Sequence, residues 1–195
     1  YAHAYNNLGV IFKELGENHK AKSCYEKAIE IDPNYVNAHY NLGIIFKEFK
    51  DYQKAKSCYE KVIEIDHNYA NAHYNLGNVF VALGENQKAK SCYEKVIRIN
   101  PNYTLAYNNL GILFVSLKDY QKAKSCYVKI IAIKPDYADA HNNLGNVYNK
   151  LGENQKAKEC YEKAIEINPN YADAYNNLGI SFKELEEYQK AKECY

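Results

Sequence analysis

Six cysteines occupy Cys24, Cys58, Cys92, Cys126, Cys160 and Cys194, each 34 residues after the last. Thiolates ligate soft metals and attack electrophiles, so such a row is the first place to look for chemistry. Its spacing argues against most of it. No Cys-x-x-Cys pair exists to scaffold zinc. The six histidines offer no better centre. No His-Glu-x-x-His helix, nucleophile elbow or Gly-rich phosphate loop occurs, so no catalytic residue, metal site or cofactor is expected and the chain does not read as an enzyme. The remaining chemistry is hydrogen bonding. Asparagine recurs at Asn7, Asn41, Asn75, Asn109, Asn143 and Asn177, again 34 residues apart. A side-chain amide donates and accepts at once, which suits recognition of a peptide backbone.

The elements that carry these residues follow from the same period. Leu-Gly recurs from Leu8-Gly9 to Leu178-Gly179, and Pro33, Pro101, Pro135 and Pro169 share one phase. Repeats over 1–34, 35–68, 69–102, 103–136 and 137–170, with a partial unit over 171–195, account for the whole chain as a single array. Each unit reads as two helices. In the first, Ala4, Leu8, Ile11 and Leu15, widened by Tyr5 and Phe12, form an apolar stripe over roughly Ala2 to Leu15. Gly16-Glu17-Asn18 breaks it. The second runs from about His19 to Ile31, with Ala21, Cys24, Tyr25, Ala28 and Ile29 on one face, and stops at Asp32-Pro33-Asn34. A mid-helix glycine costs about 1 kcal/mol against alanine, so Gly9 is expected, with Ala21, to let two helices approach closely. The loop type alternates between Gly16-Glu17-Asn18 and Lys50-Asp51-Tyr52, which makes a 68-residue pair period and points to duplication of a two-repeat block.

Tyr5, Leu8, Gly9, Phe12, Ala21, Tyr25 and Pro33 together resemble the tetratricopeptide repeat signature, and the resemblance covers all 195 residues. Two departures stand out. Tyr or His (His39, His73, His141) holds the first signature position in place of Trp, and His67 replaces one proline, so a slightly looser turn is expected there. The histidines should then be packing residues. The resemblance implies an all-α fold, an α-solenoid forming a right-handed superhelix of stacked antiparallel helix hairpins, short of one full turn. First helices would line a concave groove and second helices the convex outside. Equivalent cysteines would lie about one helix spacing apart, roughly 8–10 Å, beyond disulfide reach of about 7 Å. Six unpaired thiols suit a reducing compartment, so a cytoplasmic location is expected.

In the first helix, His3, Asn6, Asn7, Val10, Lys13 and Glu14 lie opposite the packing stripe and would face the groove. Beside the asparagine row run Asn6, Tyr40, Tyr74, Asn108, Asn142 and Asn176, and then Val10, Ile44, Asn78, Ile112, Asn146 and Ile180. The peptide-binding candidates are therefore Asn7, Asn41, Asn75, Asn109, Asn143, Asn177, Asn6, Tyr40, Tyr74, Asn108, Asn142, Asn78 and Asn146. Asparagine costs up to about 0.7 kcal/mol per residue in a helix, which favours a reason for six copies. The row resembles the asparagine ladder in the tetratricopeptide superhelix of O-linked N-acetylglucosamine transferase. The competing reading is that each Asn bonds a neighbouring repeat. A carboxylate clamp of two Lys and an Arg, as in chaperone-binding tetratricopeptide domains, is not expected, since the matching rows hold Asn, Tyr, Leu or Asp and the single Arg, Arg98, is on a second helix. Lys13, Lys47 and Lys183 flank a more apolar stretch of Val81, Ala82, Val115 and Ser116, with Leu105 and Ile112, a candidate contact strip.

The balance of charge, 25 basic against 24 acidic residues, gives no excess for nucleic acid or an anionic membrane surface. No apolar run approaches the roughly 20 residues of a membrane span. Lys20, Lys22 and Lys27 alternate with Glu26 and Glu30 on the second helix and read as a solvated convex face. The expected partner is a protein or peptide, not nucleic acid or membrane. A structural scaffold that self-associates end to end, and a substrate-recruiting arm of a larger enzyme, are the alternatives. The chain opens Tyr-Ala-His and closes within a hairpin at Tyr195, so it is expected to be a piece of a longer superhelix.

Overall fold

The computed structural model describes residues 1–195, entirely as helices and short turns. They gather into two compact units, Tyr1–Pro101 and Asn102–Tyr195. The first contains α1 (Ala2–Glu14), α2 (Asn18–Ile31), α3 (Val36–Glu48), α4 (Tyr52–Ile65), α5 (Ala70–Ala82) and α6 (Asn86–Ile99). The second contains α7 (Thr104–Ser116), α8 (Tyr120–Ile133), α9 (Ala138–Lys150), α10 (Asn154–Ile167), α11 (Ala172–Glu184) and α12 (Tyr188–Glu193). The architecture is the all-α solenoid of helix hairpins that the repeat implies. Odd and even helices pair as hairpins. Within a unit, each second helix also packs on the first helix that follows it.

The hairpin interior is a glycine–tyrosine lock. Tyr25, Tyr59, Tyr93, Tyr127 and Tyr161 are at most 2% exposed. A Cβ on Gly9 would lie 2.5 Å from the Tyr25 ring, and one on Gly77 2.6 Å from the Tyr93 ring. Gly9 thus admits a flat aromatic ring against the backbone of the first helix. Between repeats, Ala38, Leu42, Ile45 and their equivalents close the core at 0–7% exposure. Their counterparts in α1 behave differently: Leu8 and Ile11 are 41% and 53% exposed, against the core stripe expected for them, because elsewhere a preceding second helix provides the cover. Leu15 is 65% exposed, and its equivalents Phe49 and Leu117 are exposed as well.

Lysine stems seal the seam. Phe46 lies under Lys54 Nζ of its own hairpin at 5.4 Å and Lys22 Nζ of the preceding one at 5.9 Å; Phe182 is flanked in the same way by Lys190 and Lys158. The second-helix carboxylates also take up lysines at i, i+4, as in Lys22–Glu26 at 3.2 Å.

The alternating loops are two answers to one problem. In Gly16-Glu17-Asn18 the glycine takes φ +76° without a Cβ penalty, and Glu17 forms no side-chain cap. In Lys50-Asp51-Tyr52 a lysine takes φ +59°, and Asp51 caps α4 by accepting from the Lys54 amide at 3.2 Å. The turn at His67 is not looser than its proline counterparts. Asp66 has φ −128° and ψ 96°, close to the −133° and 95° of Asp32. Both aspartates brace the turn by accepting the amide two residues on, Asn68 at 2.9 Å and Asn34 at 3.0 Å.

Candidate functional site

The first-helix faces place the predicted residues in three different roles. In unit 1, Asn41 Nδ2 donates to Asn6 Oδ1 at 3.0 Å, one repeat back, and Asn6 Nδ2 reaches Asn7 Oδ1 at 3.5 Å. In unit 2, Asn177 Nδ2 donates to Asn142 Oδ1 at 3.0 Å. Asn6, Asn75 and Asn142 are buried, at 6%, 7% and 5% exposure. This corrects the expectation that all of them line an open face: Asn6 and Asn142 sit one position before the asparagine row, where an amide of the next repeat's first helix reaches back to them, and Asn75 is buried against Tyr40 and Lys47 of the preceding repeat.

Asn75 is the most tightly held. Its Nδ2 donates to Tyr40 Oη at 2.9 Å and to the Asn71 carbonyl at 3.1 Å, while its Oδ1 accepts Lys47 Nζ at 3.0 Å. Both amide hydrogens are spent, so Asn75 is a structural residue. Tyr40 in turn packs its ring against Tyr59 and Tyr69, with centroids at 5.9 Å and 5.2 Å, and Tyr74 lies 6.1 Å from Tyr93. Asn41 and Asn177 differ: each spends one N–H on its neighbour and keeps the other N–H and its carbonyl oxygen. Asn143 is half-buried and makes no side-chain hydrogen bond within unit 2. Asn108 and Asn109 are also half-buried, and Asn7 is exposed.

The third row serves the hairpin interior. Tyr93 Oη donates to Asn78 Oδ1 and Tyr161 Oη to Asn146 Oδ1, each at 2.8 Å. Where the row holds Val10 or Ile44, the hydroxyls of Tyr25 and Tyr59 are buried without a partner. Burial pushes the Tyr25 phenol up to about 12, with the neighbouring Cys24, Glu48 and Glu14 adding to it, and raises Tyr59 further.

Two features were not legible in the spacing. One is the Lys47–Asn75–Tyr40 cluster. The other is a cluster at the far end of unit 2, in which Asn177 donates to Asn142 and the Tyr171 hydroxyl lies near Asn142 and the Asp139 carboxylate. Burial and the Asp139 carboxylate raise the Tyr171 phenol well above its usual range. Tyr35 plays the equivalent part in unit 1, with its hydroxyl 2.8 Å from His3 Nδ1. A tyrosine in the inter-repeat turn and a polar residue on the preceding first helix were each visible in the sequence, but nothing paired them.

The histidines brace turns. Nε2 of His39, His73 and His141 lies 2.9, 3.0 and 2.8 Å from the carbonyl oxygens of Pro33, His67 and Pro135. A carbonyl only accepts, so Nε2 carries the proton. Desolvation lowers the His73 pKa, with the nearby Lys95, His67 and Arg98 charges acting the same way against its backbone hydrogen bond. All six thiols are free. Burial pushes Cys58 and Cys92 up to about 12 and Cys160 to about 11, which makes them poor nucleophiles.

Family models described as tetratricopeptide repeat match residues 1–66, 70–103, 92–125, 138–171 and 160–193, and one described as TPR repeat matches 112–152. The chain belongs to the tetratricopeptide repeat family. The solved structures similar to this tetratricopeptide array include MamA, at 29% identity and a TM-score of 0.79 over 84% of this chain and 96% of that one. They also include YrrB, titled a TPR protein with an unusual peptide-binding site, at 28% identity and a TM-score of 0.76 over 89% of this chain and 90% of that one. PilF of Pseudomonas aeruginosa, at 21% identity, shares the fold with a TM-score of 0.83 over 99% of this chain and 88% of that one. No curated protein matches. The array is a protein–protein interaction module, of a fold that is typically non-catalytic, in a family that binds protein or peptide partners.

Proposed function

We propose that the array binds an extended segment of a partner protein along its first-helix face, through the asparagines that keep hydrogen-bonding capacity. The observation that carries this is the half-spent amide of Asn41 and of Asn177, each fixed by one bond to its neighbour with one donor and one acceptor left. A side chain already immobilised loses less entropy on binding a ligand. An amide that presents both a donor and an acceptor matches an extended backbone whatever its side chains. In unit 2 Asn143 belongs to the same row, and in unit 1 Tyr40 and Tyr74 supply flat apolar surface beside Asn41. The peptide-binding site named for YrrB, a structural neighbour, supports the same use of the fold.

The test is to select binders from a random octapeptide library and titrate them against Asn143→Ala and Asn41→Ala. Each variant should weaken binding about five- to tenfold, the worth of one or two neutral hydrogen bonds. Asn143→Ala should not lower the melting temperature, since alanine is the better helix former. Unchanged affinity in both variants defeats the reading.

A second reading has its own observation. Leu8 and Ile11 form an uncovered apolar patch on α1, at positions that are buried in later repeats, where Leu42 and Ile45 or Leu76 and Val79 stand. Self-association through that face predicts a mass that rises with concentration in light scattering and falls back in Leu8→Glu. A strict monomer at every concentration rules it out.

A further inference from the structure

Of the two cations Lys13 and Lys47 in this row of unit 1, the fold gives an ion pair to one and not to the other. Lys13 Nζ pairs with Glu48 Oε1 of the next repeat at 2.9 Å, and Asn18 Nδ2 donates to Glu48 Oε2 at 3.2 Å. One repeat along, the position equivalent to Glu48 is Ala82. Lys47 therefore has no carboxylate where Lys13 has one, and Nζ turns instead to the neutral Oδ1 of Asn75 at 3.0 Å. Asn75 cannot rotate away, because its two amide hydrogens are held by Tyr40 Oη and the Asn71 carbonyl and the side chain is buried. The second-helix lysines contrast with this: Lys22, Lys56 and Lys90 each face a glutamate one turn on.

We propose that Lys47 anchors a carboxylate of the bound peptide, either an acidic side chain or the C-terminal group, on the first-helix face of unit 1. This deepens the peptide-binding reading and rests on it. The chemistry is direct. An ammonium has three N–H donors, of which Asn75 takes one. The half-buried Lys47 has lost part of its hydration without gaining an ion pair of its own: burial lowers its pKa, and the nearby Glu48 carboxylate, already held by Lys13, offsets this only in part. An incoming carboxylate supplies the missing charge, and a charge-assisted bond to a pre-positioned donor costs little further ordering. Asn75 is then a positioning residue: it aims the lysine and does not touch the peptide.

Ala82 gives the experiment. Ala82→Glu rebuilds the Lys13–Glu48 pair one repeat along and fills the carboxylate position from within. Two random octapeptide libraries are screened against the array, one with free C-terminal carboxylates and one amidated. Enrichment of Asp or Glu at one position in the amidated library identifies a side-chain carboxylate; binders whose affinity collapses on amidation identify the C-terminal one. In either case Lys47→Gln and Ala82→Glu should each weaken the selected peptide about tenfold, the size of one charge-assisted hydrogen bond. Binding of its neutral Asn, Gln or amide counterpart should change less than twofold, with melting temperatures confirming that both variants fold. Binders with no preference for a carboxylate, and equal affinity in Ala82→Glu, overturn the role of Lys47 while leaving the peptide-binding face standing. Failure of both libraries to yield any binder overturns both.

Discussion

Val10→Asn should stabilise the array, although it places a polar residue where an apolar one stands. Tyr25 is fully buried and its hydroxyl has no partner. In the third and fifth repeats the equivalent hydroxyls donate to Asn78 and Asn146 at 2.8 Å. Those two asparagines occupy the position of Val10. A buried hydroxyl left unpaired costs about 1–3 kcal/mol. The half-buried Val10 forfeits about 1 kcal/mol of transfer free energy on replacement, and Val and Asn are nearly equal in helix propensity. The balance is a gain of about 1 kcal/mol, worth about 2–4 °C in a chain of this size. Chemical denaturation followed by circular dichroism measures it, and a cycle with Tyr25→Phe isolates the cause. In the Tyr25→Phe background the hydroxyl is gone, so Val10→Asn should turn from stabilising to destabilising by about 1 kcal/mol. An equal effect of Val10→Asn in both backgrounds would refute the hydrogen-bond explanation, whatever its sign.

Ser181→Val should gain about 1 kcal/mol in the same assay, since Ser181 Oγ is buried and unpaired at a position held by Ile45, Val79, Leu113 and Val147 in the other repeats. Gly77→Ala should lose about 1–3 kcal/mol despite better helix propensity, because its Cβ would press at 2.6 Å on a Tyr93 ring that has nowhere to go. The folded pKa of His73 lies below its ordinary 6.5, so the folded state prefers the neutral ring. Its contribution is complete above about pH 6.5 and is lost as the pH falls from there through the folded pKa, at no more than about 1.4 kcal/mol per pH unit; His73→Gln should flatten that part of the stability profile. Iodoacetamide at pH 8 should label the partly exposed Cys194 before the buried Cys58 and Cys92, whose thiols near 12 leave only about one molecule in ten thousand as thiolate. Mass spectrometry showing equal rates would contradict the burial.

The hairpins were legible because each is a local object. Apolar spacing within about a dozen residues decides which stripe of a helix is buried, and Gly-Glu-Asn or Asp-Pro-Asn decides where it stops. The observed α1 and α2 therefore depart by a single residue from the ranges read in the sequence, ending at Glu14 and starting at Asn18. The inertness of the cysteines was equally readable, since a recurrent small apolar position at one helical phase is a packing position.

The site was only half legible. Spacing placed Asn6, Asn7 and Val10 on the side of the first helix away from its own hairpin, but the Val10 row turns inward, where Asn78 and Asn146 meet the tyrosines of their own hairpins. How much of that side the next repeat covers depends on the angle between successive hairpins, which no local pattern encodes. The tertiary structure decided that Asn6, Asn75 and Asn142 are buried partners, that Asn78 and Asn146 belong to the tyrosine lock, and that Asn41 and Asn177 keep one N–H and the carbonyl oxygen unspent. It likewise decided that Lys13 finds a carboxylate and Lys47 a neutral amide, because that depends on residues 35 and 28 positions away meeting across a repeat boundary. The sequence by itself determined the period, the hairpins and the identity of each row. Only the stacking of one hairpin on the next determined which members of a row are spent within the protein and which remain for a partner.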